Sequence, residues 1–265
     1  MSEKSGEFPV DNEFGGSSED EDDDDFAADY NPPLDMLVET SGAIFDALTL
    51  VGLLESVEKP SEFEIHTFAY LSCLLNVYDG HPASSWGYSF SAVPPAVPFS
   101  STISLTLETL LSMGLLTRSY DTAPPSTDSP TEATVGSHSP IRLELTDAGK
   151  KEQKFLSSLE TMRRREKYLE AAKSTSLIYS VPAVVNSLVH EPQLWQAAKT
   201  VGPRKLLVAI SSRPLYDQFE ALKDALGRDA HHLSVPATVY VGYLEESARG
   251  DLNPSDRTEE AEKHP

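Results

Sequence analysis

The sequence predicts an α+β protein: a helical domain carrying a strand hairpin, followed by a smaller mixed α/β region. Three observations lead there. Apolar residues recur at helical steps from Leu34 onward, in segments separated by Pro, Gly or Ser. Two strand-length segments, Leu115–Tyr120 and Ile141–Leu145, flank 20 residues rich in Pro, Ser, Thr and Asp, the pattern of a hairpin with an extended tip. Finally, the apolar run Leu206–Ile210, the amphipathic segment Pro214–Leu226 and the run Val239–Tyr243 read as strand, helix and strand.

Residues 1–33 contain the block Glu19-Asp20-Glu21-Asp22-Asp23-Asp24-Asp25, which repels itself and has nothing to bury, so this segment is expected to be a disordered acidic tail. The first helix follows over 34–57, where Leu37, Ile44, Leu48, Val51 and Leu54 recur at steps of three, four and seven. Pro60-Ser61 opens a second helix. Ser61 caps it, and Glu62 and Glu64 fall in the first turn, where the helix dipole favours negative charge. Asp79-Gly80-His81-Pro82 stops it.

Trp86, Tyr88 and Phe90 alternate as in a short strand with one buried face, and Pro94, Pro95 and Pro98 then exclude helix and central strand. Ser100-Ser101 caps a third helix with Ile103, Leu107, Leu110 and Leu111 on one face, ending at Met113-Gly114. After the hairpin and its loop 121–140, Thr146-Asp147-Ala148-Gly149 starts a helix expected to run unbroken to Lys173, with Phe155, Leu159, Met162 and Leu169 along one stripe. That helix closes the domain 34–173. The smaller region, 174–247, begins with short helical pieces at Val184–Val189 and Leu194–Ala198. Residues 248–265 are polar and expected to fray.

Charge is distributed unevenly along the 265 residues, whose formal net charge is -21. Residues 1–34 hold 12 acids against Lys4 alone, and 245–265 hold 7 acids against 3 bases, leaving 23 against 17 in between. A general basic coat for nucleic acid is thereby excluded, because phosphate binding is dominated by Lys and Arg. No stretch approaches the ~18 consecutive apolar residues of a membrane span, so no membrane partner is expected. The start has no apolar signal segment, which makes the cytoplasm the expected location.

Candidate chemistry is sparse. Cys73, the single cysteine, sits in an apolar run and reads as a small core residue. His231 and His232 are adjacent, so their side chains diverge. His66 lies four residues from Glu62, as in a simple surface pair, and His81 beside Asp79 has no nucleophile to serve. No glycine-rich loop stands ready to cradle a phosphate. No catalytic residue, metal or cofactor is expected.

The order of elements carries a resemblance. Leu107-Glu108-Thr109-Leu110-Leu111-Ser112-Met113-Gly114-Leu115-Leu116 looks like the end of a recognition helix entering a wing. Arg142-Leu143-Glu144-Leu145-Thr146-Asp147-Ala148-Gly149 matches a strand with a Leu-Thr-x-x-Gly exit, and Tyr88-Ser89-Phe90 precedes Pro98-Phe99-Ser100. On these residues, 60–160 resembles a winged helix-turn-helix domain of the bacterial and archaeal type with an aromatic strand and a Gly-Pro-Phe/Tyr-Ser turn, Val97 standing where that Gly would be. The resemblance implies either a transcription regulator or an accessory subunit of a defence or chromosome-organising complex that uses the same elements to bind protein.

Charge separates these two. A DNA-reading helix needs Lys, Arg, Asn or Gln facing phosphates and base edges, yet 100–114 contains none of the four and its only charge is Glu108. Residues 35–117 hold 9 acids against Lys59. The bases collect instead in 142–173, nine against six acids. The candidate anion or nucleic-acid contacts are therefore Arg142, Lys150, Lys151, Lys154, Arg163, Arg164, Arg165 and Lys167. At ~100° per residue at most two of the three consecutive arginines share a face, and a solvated surface with glutamate partners is the plainer reading of the run.

Trp86, Tyr88 and Phe99 are the candidate partner surface, against the reading that alternating aromatics line the core of a small sheet. Asp22, Asp23, Asp24 and Asp25 form either a solubilising tail or a polyanion that competes for a basic groove. The expected function is a non-enzymatic adaptor or regulatory subunit binding a protein partner, a second copy included, in a bacterial multiprotein system. A DNA-binding regulator that uses the loop 121–140 and the helix 146–173 is the alternative.

Overall fold

A helix that is apolar on every side belongs in the centre of a protein, and two segments meet that condition. In the computed structural model, which describes residues 34–93, 97–120, 141–199, 204–208 and 213–251, they form α1 (Leu34–Glu55) and α2 (Glu62–Tyr78). From Glu64 to Tyr78 every residue of α2 is buried, and in α1 Ala43, Phe45, Leu48, Leu50, Val51 and Leu54 are fully covered. Ser61 starts α2 with a capping box. Its hydroxyl accepts from the Glu64 N–H at 3.3 Å, while the Glu64 carboxylate accepts from the Ser61 N–H at 2.6 Å.

The remaining elements wrap this pair. In chain order they are β1 (Ser91–Val93), β2 (Val97–Phe99), α3 (Ser101–Ser112), β3 (Leu116–Tyr120), β4 (Ile141–Leu145), α4 (Asp147–Ser157), α5 (Glu160–Thr175), α6 (Val181–Leu188), α7 (Pro192–Ala198), β5 (Arg204–Lys205), α8 (Arg213–Leu226) and α9 (Ser234–Asp251). The fold is thus mixed, largely helical with two small antiparallel sheets. One has the order β2-β1-β5, with Ser91 opposite Phe99 on one side and Lys205 on the other. Pro98 lies in β2, an edge strand, where a missing N–H is tolerated. The other sheet pairs β3 with β4, from Leu116 opposite Leu145 to Tyr120 opposite Ile141. A single hydrophobic cluster runs from Ala43 through Leu169 to Leu244, so 34–173 and 174–247 share one core. Among the described residues no helix is long and apolar enough to cross a membrane.

The exit from β4 shows why its sequence reads Leu-Thr-x-x-Gly. The Thr146 hydroxyl caps α4 by accepting from the Gly149 N–H at 3.0 Å and donates to the Gly114 carbonyl at 2.8 Å. Gly149 then lies against the Leu115 carbonyl, where any Cβ would collide with backbone. Cap and glycine together fasten α4 to the turn that follows α3.

Three expectations are corrected. The aromatic segment 86–90 is not a strand: Ala83–Trp86 is a 3-10 turn, and Gly87 at φ 88° reverses the chain, so pairing begins only at Ser91. The helix expected over 146–173 is broken. Leu159 takes an extended backbone (ψ 130°), the Ser158 hydroxyl donates to the Phe155 carbonyl at 2.6 Å, and Ser157 donates to Glu166 at 3.0 Å. Serine hydroxyls compete with helical hydrogen bonding, and the bend lets Met162, Tyr168 and Leu169 of α5 reach the core while leaving Phe155 59% exposed.

The run Val239–Tyr243 is also not a strand but part of α9. The buried positions Ala237, Tyr240, Val241 and Leu244 follow helical spacing, and tertiary packing overrides the β-prone composition. The expected strand, helix, strand unit therefore does not form. Before α8, β5 is two residues long and Leu206 continues it only by donating its N–H to the Phe90 carbonyl at 2.9 Å. Ala209 and Ile210, the acidic tail with Asp22–Asp25, the loop 121–140 and residues 252–265 lie outside the described residues.

Candidate functional site

Helix α3 buries Ile103, Thr106, Leu107 and Leu110 against the centre. Its opposite face presents Ser101, Leu105, Glu108, Thr109, Ser112 and Met113 to solvent, with Leu105 67% and Met113 64% exposed. Two of the three hydroxyls on this face are turned inward: Thr109 donates to the Leu105 carbonyl at 2.9 Å and Ser112 to the Thr109 carbonyl at 2.7 Å. What α3 offers outward is mainly hydrocarbon, with the Glu108 carboxylate and, in its first turn, the Ser101 hydroxyl. On its flank Glu108, Glu62, Arg118 and Ile141 border a small cleft. Glu62 is held below the ordinary carboxylate range chiefly by the neighbouring His66, whose Nε2 lies 3.6 Å away, and Ser104 donates to it at 2.6 Å.

The eight basic candidates separate into groups. Arg142 is not a free contact, being only 12% exposed: its Nη1 meets Glu64 at 2.9 Å and its Nη2 meets Glu58 at 2.9 Å, which ties β4 to the start of α2. Arg165 is withdrawn further. Its Nε donates to Asp46 Oδ1 at 2.7 Å, its Nη2 to Asp46 Oδ2 at 2.6 Å and its Nη1 to the Trp86 carbonyl at 2.7 Å, with the guanidinium carbon 3.9 Å from the Trp86 ring centroid. Burial opposes the Arg165 charge, but fully covered Asp46 more than restores it and holds the group firmly protonated. The Tyr88 hydroxyl adds a third bond to Asp46 at 2.5 Å, and burial and the neighbouring carboxylate push that phenol well up.

Lys167 pairs with Asp79 at 2.8 Å, and Tyr168 donates to the same carboxylate at 2.7 Å. Burial would raise Asp79, yet these two hydrogen bonds outweigh it and keep the acid below its usual range. Arg163 faces Glu160 on the surface at 3.3 Å. Lys150, Lys151 and Lys154 stand exposed on α4, and Arg164 is exposed on α5; among the described residues none of the four makes an ion pair.

The aromatic surface expected from Trp86, Tyr88 and Phe99 is corrected in its first two members. Trp86 is 1% exposed and Tyr88 is buried, because both rings pack around the Arg165 guanidinium. Phe99 is partly covered, its ring 4.9 Å from His66. His66 itself is buried rather than a surface residue; Nδ1 accepts from the Ser100 N–H at 3.2 Å, which accounts for a helix start whose own serine makes no side-chain cap. Cys73 is buried and its thiol pushed up by desolvation. His231 and His232 lie exposed at the turn before α9, and among the described residues no group of three His, Cys, Asp or Glu could hold a metal.

Two acids and two apolar residues escape a reading by segment. Asp46, the lone charge in the apolar run 41–54, signals a buried cation partner but not which one. Glu191 sits before Pro192 and caps α7. It accepts from the Leu194 N–H at 2.9 Å and the Tyr70 hydroxyl at 3.1 Å, and burial raises its carboxyl. Leu105 and Met113 are marked only by falling off the apolar stripe of α3. No protein-family model matches the chain, and no curated protein and no solved structure matches it either.

Proposed function

We propose that this protein is a non-enzymatic winged-helix adaptor or regulatory subunit that binds a protein partner through the outward face of α3, as part of a bacterial multiprotein system of the defence or chromosome-organising kind. The observation that carries the reading is that face itself. Two large apolar side chains, Leu105 and Met113, project into solvent beside the Thr109 and Ser112 hydroxyls, which are bonded to their own helix, with no Lys, Arg, Asn or Gln among them. Apolar side chains of this size gain roughly 1.5–3 kcal/mol each when a partner covers them fully, whereas phosphates would find no Lys, Arg, Asn or Gln on that face. The succession of α3, the β3–β4 pair and α4 supports a winged arrangement.

Affinity purification of the intact protein recovers a stoichiometric protein partner, and the Leu105→Asp, Met113→Asp variant loses it while melting at the wild-type temperature. A wild-type protein that recovers none across several expression conditions, or a variant that retains the partner, removes the reading.

A DNA-binding role keeps one supporting observation, the exposed trio Lys150, Lys151 and Lys154 on α4. It requires a mobility shift with duplex DNA at low salt that weakens steeply as salt is added and disappears when the three lysines become alanine.

A further inference from the structure

One face of α5 carries Thr161, Arg164, Arg165 and Tyr168, and opposite it the last turn of α2 places Asn76 and the chain that follows places His81, Ser85 and Trp86. These eight residues enclose an open cavity of about 190 Å3. Its lining contains two arginines and a histidine and not one carboxylate, in a chain whose net charge is -21. The charge of Arg165 is already answered by Asp46 beneath the floor. Asp79, at the flank, is answered by Lys167 and Tyr168 and also lies 3.9 Å from Nε2 of His81. Arg164 is the cation left over: exposed at the rim, it makes no ion pair among the described residues, and it lies near enough to the Tyr168 hydroxyl to oppose that group's rise in pKa.

Size suits a small ligand group: sites for drug-sized molecules run to ~300–1,000 Å3, and a water occupies about 30 Å3 of liquid, so this open cavity of about 190 Å3 seats a tetrahedral oxyanion with a few waters. Neutral donors are at hand. The buried Asn76 amide gives one N–H to Ser85 Oγ at 3.3 Å and has a second, and Thr161 brings a hydroxyl. Arg165 has five N–H groups, of which three are engaged with Asp46 and the Trp86 carbonyl. The rigid clasp of Asp46, Arg165 and Trp86 makes the floor preformed.

We infer that the cavity between α5 and the 81–86 turn is a binding site for a phosphoryl-sized oxyanion, with Arg164 as its charged ligand. The anion is either free phosphate or the phosphorylated side chain of another protein. The inference stands apart from the role of α3, whose surface contributes nothing to this cavity.

Calorimetric or NMR titration of the full-length protein, in buffer of low chloride, with inorganic phosphate and with a short phosphoserine peptide tests it. Saturable binding of at least one is expected, with a dissociation constant near ~1 mM for phosphate. Arg164→Ala weakens it about tenfold or more, the size expected for losing a charge-assisted contact. Arg163→Ala, one residue away but paired with Glu160 and outside the lining, changes it less than about twofold. Thr161→Val gives a second, uncharged variant whose binding also weakens. A peptide that binds more tightly than phosphate identifies the partner's phosphoryl group as the ligand, and phosphate binding without peptide binding identifies the free anion. Absence of saturable binding of either, or equal weakening in Arg163→Ala and Arg164→Ala, overturns the site.

Discussion

Helices α4 and α5 come from one continuous basic stretch, yet only α5 has cations held by acids distant in sequence, Arg165 and Lys167. On α4, Lys150, Lys151 and Lys154 face water; on α5, Arg165 is enclosed by Asp46, Trp86 and Tyr88, and Lys167 is held by Asp79. The two halves do not differ much in composition. They differ in what faces them: α5 lies against α1 and the end of α2, each of which supplies a carboxylate, while the outward side of α4 meets no other element. A basic run therefore becomes structural where an acid distant in sequence is brought against it, and stays available for solvent or a ligand where none is.

The sharpest way to break this contrast is Arg165→Ala. It leaves Asp46 buried without its cation, and the expected cost is about 3–5 kcal/mol in urea unfolding, as for other broken buried pairs. Replacing Asp46 and Arg165 together by Leu and Met costs less than the sum of the two single changes, because no orphaned charge remains. Additive losses would show that the pair is not coupled.

Next in size is the attachment of α4. Gly149→Ala sets a methyl against the Leu115 carbonyl, which forces the backbone to shift, and a loss of about 1–3 kcal/mol is expected. An unchanged midpoint would mean that α4 is not seated where the structure has it.

Glu191 sharpens the comparison from the acidic side, since it is a buried carboxyl that makes no ion pair among the described residues. Burial raises its pKa, so the folded chain holds the proton more tightly than the unfolded one. The stability that this brings is complete below the ordinary glutamate value of 4.5 and is lost as pH rises through the folded value. Relative to Glu191→Gln, the wild type thus becomes less stable between pH 4.5 and neutrality, measured by urea unfolding at several pH values. A difference that does not move with pH would contradict the burial. The smallest effect is reserved for α4: alanine at Lys150, Lys151 and Lys154 changes stability by less than about 0.5 kcal/mol, and a larger loss would show that these lysines have structural partners after all.

Legibility followed the range of the interactions. The cap at Ser61, the acids after it, the stop at Asp79-Gly80 and the end of α3 at Met113-Gly114 could be read from neighbouring residues, and the pairing of 116–120 with 141–145 from two strand-length segments flanking one polar loop. The α3 face was legible in part, since its lack of cations is written in 100–114 while the exposure of Leu105 and Met113 is not. The break at Ser158, the helical state of Val239–Tyr243 and the turn at Gly87 went the other way, because competing local preferences were settled by what each segment packs against.

By itself, then, the sequence determined the apolar helices that form the centre, their caps, the hairpin and the acidic character of the first half. Tertiary structure alone decided which cations are free. The Asp46–Arg165 pair joins residues 119 positions apart and Asp79–Lys167 joins residues 88 apart. A charge pair depends on distance in space and on the water excluded around it, and neither is encoded within any one segment of chain.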